Sequence, residues 1–204
     1  MKVCKEAIPY VLFWGVLTAV SFILSFYYLS LFFVLPFLFT LFFFRDPKRE
    51  FSGSENIILS PADGKIIKIK EHDSKLTISI FMSVFNVHIN RAPICGKIDE
   101  SKHFQGNYIA AYKDKASEEN ERLKWLVKGE KEEVEFIQIA GLVARRIHPY
   151  KKEGDTVQRG EKVGLIAFGS RVDITFNSFG KKILVKEGEK VKGGLTPLAE
   201  IEKK

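Results

Sequence analysis

The sequence predicts a mostly β fold: a compact antiparallel β-barrel or sandwich-like domain preceded by an N-terminal transmembrane helical hairpin. Three observations carry this expectation. No charged residue occurs from Ala7 to Phe44, while nearly all Lys, Arg, Asp and Glu lie beyond that run. After it, apolar and polar residues alternate with a period of two, as in "KLTISIFMS", where Leu76, Ile78 and Ile80 alternate with Thr77 and Ser79. Two stretches near the C-terminal end, "KKEGDTVQRGEKVGLI" and "VKEGEKVKGGLTPLAEI", share one turn-and-strand pattern, with Gly154, Val157 and Gly160 matching Gly188, Val191 and Gly194.

The apolar run has 38 residues. As one helix it would extend about 57 Å, at about 1.5 Å per residue, against a hydrocarbon core of about 30 Å. Two shorter helices, near Ile8 to Ser25 and Leu29 to Phe44, fit better than one tilted or re-entrant segment. Tyr27 and Tyr28 then suit the far interface, and Pro36 is a candidate kink in the second helix. A signal peptide fits poorly, since the run is too long and lacks a small-residue cleavage site. Basic residues flank both ends: Lys2 and Lys5 before, Arg45, Lys48 and Arg49 after. That pattern places both ends in the cytoplasm. The expected division is a membrane anchor over residues 1–46 and a polar domain over 47–204 on the cytoplasmic side of the cell membrane.

The net charge of +7 suits attraction to anionic lipid headgroups beside such an anchor. Zinc-finger spacing, ribonucleoprotein-type aromatics and a continuous basic helix are all missing, so nucleic acid is not an expected partner. Two widely separated cysteines, Cys4 and Cys95, agree with a reducing compartment.

In the polar part, "NIILSPADGKIIKIKE" gives two short β runs around the turn Pro61-Ala62-Asp63-Gly64. The charge-rich segment from Lys113 to Lys128 reads as a mobile loop or short helix, and "EEVEFIQIAG" as a strand ending at Gly141. The repeated glycine pattern resembles the turn-and-strand units of biotinyl/lipoyl-like barrels. A carrier's modified lysine in a tight hairpin, flanked by Met or Ala, is missing, so a biotin or lipoate carrier is not expected.

Of the four histidines, His72, His103 and His148 lie in polar or turn-like sequence. His88 differs, because "FMSVFNVHINRAP" sets it in an apolar β run. No His or Cys spacing suits a metal, and none is expected. Asp63, His88 and Ser170 are together the residue types that orient an imidazole, let it take a proton, and activate a hydroxyl. A core histidine and a bulge at Gly169-Ser170 would explain the same residues without any chemistry. A serine hydrolase using this trio would need a Gly-x-Ser-x-Gly elbow between strand and helix, which is absent.

Four stretches in order, "FFRDPKR", "SPADGKI", "FNVHINRAP" and "AGLVARRI" leading to "GDTVQRGEKVGLIAFGSRVDI", resemble the phosphatidylserine decarboxylases. The likeness is to their short form, which includes archaetidylserine decarboxylases, and it runs from about Phe43 to Ile174. It implies a proenzyme that cuts itself between Gly169 and Ser170 into chains 1–169 and 170–204, which stay together as partners. Ser170 would become a covalent pyruvoyl cofactor that takes the substrate amine as a Schiff base. His88 would be the base and Asp63 the residue that holds its tautomer. Where the long form carries a second histidine, this chain has Phe85.

The implied activity is decarboxylation of a membrane serine phospholipid, with acyl or ether-linked tails, to the ethanolamine phospholipid. Arg145, Arg146 and Arg122 are candidate phosphate or carboxylate ligands, and Phe85 is a candidate lining residue. A homo-oligomer is compatible with the sequence. The rival readings are a membrane-anchored serine hydrolase and a non-catalytic lipid-binding module of biotinyl/lipoyl-like fold.

Overall fold

The computed structural model describes residues 2–106, 119–141, 146–167 and 170–202, and divides into two compact units, Met1–Lys48 and Arg49–Lys204. The first is an antiparallel pair of helices, α1 (Ile8–Ile23) and α2 (Tyr27–Phe43). Pro9 at the start of α1 suits a position where the backbone N–H has no helical partner. Ser25, at φ 64°, turns the chain between them, and Phe26 N–H closes the first helix on the Ser21 carbonyl at 2.8 Å. The helices are joined by a hydrogen bond from Ser30 Oγ to the Thr18 carbonyl, 3.1 Å, and by Trp14 against Phe33. Strands β1 (Lys2–Val3) and β2 (Arg45–Asp46) pair antiparallel and bring the two ends side by side.

Both helices end one or two residues before the expected boundary. Pro36 sits inside α2, with Thr40 Oγ1 donating to its carbonyl. The segment Lys5–Ile23 is long and apolar enough to cross a membrane, while α2 is shorter. Side chains such as Leu12, Phe13, Phe32 and Leu35 stand more than half exposed. So continuous an apolar surface demands an apolar surrounding.

Among its described residues the second unit is built from β-strands. Its strands are β3 (Ile57–Leu59), β4 (Gly64–His72), β5 (Lys75–Met82), β6 (Ile89–Arg91), β7 (Gly96–Phe104), β8 (Arg122–Lys128), β9 (Glu133–Ala140), β10 (Ile147–Pro149), β11 (Thr156–Val157), β12 (Lys162–Ile166), β13 (Ser170–Asn177), β14 (Lys181–Ile183), β15 (Lys190–Val191) and β16 (Pro197–Ile201). Eight form one curled antiparallel sheet in the order β11-β7-β8-β9-β13-β5-β4-β15. Two three-stranded sheets, β10-β12-β6 and β14-β16-β3, accompany it.

Period-two alternation builds the core, as the sequence predicts. Leu76, Ile78, Ile80 and Met82 of β5 share a buried face with Val172, Ile174 and Phe176 of β13. Phe136 of β9 lies opposite Trp125 of β8 and stacks on it at 6.1 Å between centroids. The β4–β5 hairpin closes through Asp73 and Ser74, both at positive φ, which is the two-residue geometry that matches strand twist.

Three expectations need correction. Arg122–Lys128 is strand β8 rather than loop or helix; residues 107–118 lie outside the described residues. Leu123, Trp125 and Val127 alternate inward there, and that alternation outweighs the charges between them. His148 lies within β10 rather than at a turn. The stretch "LIAFGSRVDI" is also not one strand with a weak middle: β12 ends at Ile166 in one sheet and β13 begins at Ser170 in another.

The repeat runs deeper than the glycine pattern. "PADGKI" (61–66) and "PICGKI" (93–98) form a second related pair, each opening a nine-residue strand, β4 or β7, that is irregular after its third residue. Their contacts are duplicated. Gly188 N–H donates to the Ile66 carbonyl as Gly154 N–H does to that of Ile98; Gly194 N–H donates to Ser60 as Gly160 N–H does to Ala92. All four glycines have positive φ, between 73° and 91°. The halves meet where a Cβ on Gly194 would come 3.3 Å from the Cα of Gly160.

This geometry separates two substitutions. Gly154→Ala meets only backbone strain, about 1–3 kcal/mol, because nothing lies within 4 Å of the added Cβ. Gly194→Ala adds a clash with Arg91 Cδ at 2.7 Å. Thermal unfolding should show the larger loss for Gly194→Ala; equal losses would mean the junction between the halves is not close-packed.

Candidate active site

Ser170 and Asp63 lie at the same end of the main sheet, and His88 follows the turn by which the chain leaves β5 at that end. Ser170 opens β13 with Met82, the last residue of β5, on one side and Ala140, the last of β9, on the other. It is fully buried, and its Oγ donates to Met82 Sδ at 3.3 Å. The end of β9 is fixed by Asn120 Nδ2 donating to the Ala140 carbonyl at 2.6 Å, and by Ala140 N–H donating to that of Glu121.

After Met82 the chain makes a tight turn. Asn86 Oδ1 accepts from Ser83 N–H and Ser83 Oγ, leaving Val84 and Phe85 at the tip. Phe85 is 68% exposed. The Asn86 carbonyl lies 3.0 Å from His88 Nδ1. A carbonyl only accepts, so in the neutral ring the proton sits on Nδ1 and the basic lone pair is on Nε2. His88 is buried, and its carbonyl accepts from Ile166 N–H at 3.2 Å, four residues before Ser170.

Asp63 precedes β4, two strands from β13 across β5, or about 10 Å at the usual strand spacing. Its carboxylate is held bidentately by Arg49, through Nη1 to Oδ1 and through Nη2 to Oδ2, the latter at 2.8 Å. Gly193 N–H donates to Oδ1 at 2.8 Å, and Arg49 Nη1 also reaches the Gly193 carbonyl at 2.6 Å. The Nδ1 position that the sequence reading gives to Asp63 is thus taken by the Asn86 carbonyl.

The repeat explains part of this. Cys95 is the counterpart of Asp63, and its Sγ accepts Arg159 N–H as Asp63 accepts Gly193 N–H. Bonding to the opposing loop belongs to the scaffold; the charge and its Arg49 partner belong to this half alone. Sequence reading gave Arg49 a place only among the basic residues flanking the apolar run, because a pairing 14 residues apart across a turn leaves no local pattern.

The remaining candidates divide. Arg122 begins β8, two strands from Ser170 at the same sheet end, with its guanidinium over the Phe104 ring at 4.7 Å. Arg146 is exposed, and its carbonyl accepts from Ala167 N–H. Gly169 and Arg145 lie outside the described residues. Arg171, next to Ser170, is held on the opposite face by Asp173 and Ser79.

Residues 37–199 match the family model described as phosphatidylserine decarboxylase. A phosphatidylserine decarboxylase proenzyme of Syntrophus aciditrophicus is 44% identical over 205 residues, covering 96% of each chain. One from Desulfotalea psychrophila is 42% identical, covering 98% of this chain and 97% of its own. One from Carboxydothermus hydrogenoformans is 37% identical, covering 97% and 95%. The chain is therefore a decarboxylase. The chain belongs to the phosphatidylserine decarboxylase family.

The Arg49–Asp63 pair is buried, with side-chain exposures of 6% and 10%. Removing one partner of such a pair strands a charge and costs about 3–5 kcal/mol. Arg49→Ala should therefore lower the thermal unfolding midpoint far more than Lys128→Ala, whose exposed pairing with Asp99 is worth little. Equal midpoints would show that Asp63 does not need Arg49.

Proposed function

We propose that this chain is a self-processing, pyruvoyl-dependent decarboxylase acting on phosphatidylserine, or on its ether-lipid analogue archaetidylserine, and releasing carbon dioxide and the ethanolamine phospholipid. The observation that carries this reading is the placement of Ser170: a buried hydroxyl on the first residue of a central strand, where the chain crosses between sheets. The names of the relatives support both the substrate and the proenzyme state.

Ser170 Oγ adds to the Gly169 carbonyl and displaces the amide nitrogen, converting the peptide bond to an ester. Glycine on the acyl side has no side chain to obstruct that approach. His88 Nε2 takes the hydroxyl proton and returns it to the displaced nitrogen, which becomes an amine; neutral again, it takes the α-proton of Ser170 in the next step. Elimination expels the Gly169 carboxylate and leaves dehydroalanine. Its imine tautomer takes up one water and releases ammonia, leaving pyruvoyl. Asp63 adds negative charge that favours the imidazolium, but it shares that charge with Arg49, so its influence is weaker than direct contact would give.

The residues present fit a pyruvoyl group at position 170, since that position is fully buried between Met82 and Ala140. Such a carbonyl supplies an electron sink for loss of carbon dioxide. Arg122 and Arg146 offer guanidinium groups for the substrate's phosphate or carboxylate, as would Arg145, and Phe85 offers an apolar face beside them. The hairpin would hold the domain against the cytoplasmic face of the cell membrane, where the lipid resides.

Three measurements test this. Intact mass should show fragments 1–169 and 170–204, the second blocked to N-terminal sequencing. Ser170→Ala should remain whole and inactive; His88→Ala should remain whole or nearly so; Asp63→Asn should slow the cut less. Carbon dioxide release in detergent should need no added pyridoxal phosphate. An intact but active wild type, or a cut Ser170→Ala, would overturn self-processing. For the anchor, tags before Lys2 and after Lys204 should be equally shielded from external protease in intact cells, and opposite accessibility would eliminate the hairpin.

A further inference from the structure

A line of buried polar side chains crosses the core and ends at Ser170. Trp125 Nε1–H donates to Gln138 Oε1 at 2.7 Å, and Gln138 Nε2 donates to Asn90 Oδ1 at 2.7 Å. Asn90 Nδ2 donates to Met82 Sδ at 3.6 Å, the same sulfur that accepts from Ser170 Oγ. All five residues are fully buried.

The direction of this line is forced. An indole N–H can only donate, so the Gln138 atom facing it must be the oxygen. Gln138 then presents its amide nitrogen to Asn90, whose facing atom must be its oxygen in turn. Asn90 is left with its amide nitrogen turned toward Met82, the residue whose sulfur also accepts from Ser170. One donor-only residue at the far end thus fixes which atom arrives at the reactive end.

The scaffold does not require this polarity. In the repeat, Asn90 of β6 opposite Gly164 of β12 corresponds to Ile58 of β3 opposite Ala199 of β16, and Ile58 is equally buried. One half of the molecule fills the position with a hydrocarbon and the other with an amide. Room is made for that amide line: a Cβ at Gly164 would lie 3.2 Å from Gln138 Nε2. Buried amides add little net stability and cost much when unpaired, so a line of them that ends on one serine points to that serine.

We propose that Asn90 is a positioning residue for self-cleavage, its amide aimed by Gln138 and Trp125 so that Met82 Sδ and the Ser170 hydroxyl keep one arrangement until attack. Sulfur is a weak acceptor, so the hydroxyl is placed without its proton being withheld from His88. The inference rests on the self-processing reading.

The test follows appearance of fragment 170–204 from pulse-labelled full-length chain in lipid nanodiscs. Asn90→Leu, of similar shape but without a donor, should slow the cut about tenfold or more, the rate equivalent of one lost hydrogen bond. On a Ser170→Ala background its unfolding midpoint should fall, because Gln138 Nε2 loses its acceptor, so the pH dependence of Asn90→Asp is the readout that a structural role does not move. Asn90→Asp supplies a donor only when protonated, and burial raises a carboxyl's pKa. Its cleavage rate relative to wild type should therefore rise as pH falls from about 8 to about 6, while the Asn90→Leu ratio stays flat.

A merely structural role would leave the Asn90→Asp ratio independent of pH. That flat ratio, or cleavage of Asn90→Leu at the wild-type rate, overturns the inference, and the Asn90→Asp ratio decides the matter if Asn90→Leu fails to fold. Failure of wild type to cut at all would instead remove the self-processing reading itself, and the inference with it.

Discussion

The fold depends on a close approach of two loops. Gly160 and Gly194 lie against each other with no room for a side chain between them, and each loop is hydrogen-bonded to the strands of its own half. Leu59 N–H donates to the Pro93 carbonyl while Arg91 N–H donates to that of Pro61, so the two Pro-x-x-Gly-Lys-Ile turns are also bonded reciprocally. Positive φ at four equivalent glycines makes this junction possible, because L side chains rarely adopt that conformation. The short strands β11 and β15 then cap opposite edges of the eight-stranded sheet, at Gly96 and Gly64. Both edges are closed by the same device, which also blunts their tendency to pair with other chains.

Against this symmetry the reactive end stands out by its departures. Asp63 replaces the thiol of Cys95, Asn90 replaces Ile58, and His88 stands where the other half has Asn56. Each substitution puts charge or hydrogen-bonding capacity where the scaffold manages without it. Burying a leucine- or isoleucine-sized side chain contributes about 1.5–3 kcal/mol, whereas a satisfied hydrogen bond nets about 1 kcal/mol. An amide at position 90 therefore costs stability relative to its counterpart, and function at the neighbouring serine is the natural compensation.

What the sequence disclosed follows from the range of the forces involved. β5 was legible because Leu76, Ile78 and Ile80 alternate locally, and the 34-residue glycine repeat because turns requiring positive φ mark their own residues. β8 was not, since Arg122, Lys124 and Lys128 obscured the inward alternation of Leu123, Trp125 and Val127. Ser170, His88 and Asp63 could be named from residue types and family likeness, and they do share one sheet end. The partners of Asp63 could not, because Gly193 lies 130 residues away and meets it only through the folded loop junction. The polar line from Trp125 was hidden for the same reason: its five members come from five different strands.

The position of Ser170 also bears on how a chain break at this bond could be tolerated. A cut within β13 would end a strand paired on both sides in the middle of the sheet. A cut before Ser170 falls where the chain passes from β12 to β13, between sheets, and leaves every pairing of β13 with β5 and β9 in place. The fragment from Ser170 would further be held by β15 on β4, by β16 on β3, and by Gly193 in the Asp63–Arg49 clasp. Thirty-five residues threaded through three sets of strand pairs cannot leave without unfolding the domain. Cutting there releases only the tether between two sheets, which frees the first residue of β13 to change chemically while its backbone neighbours, Met82 and Ala140, stay fixed on either side.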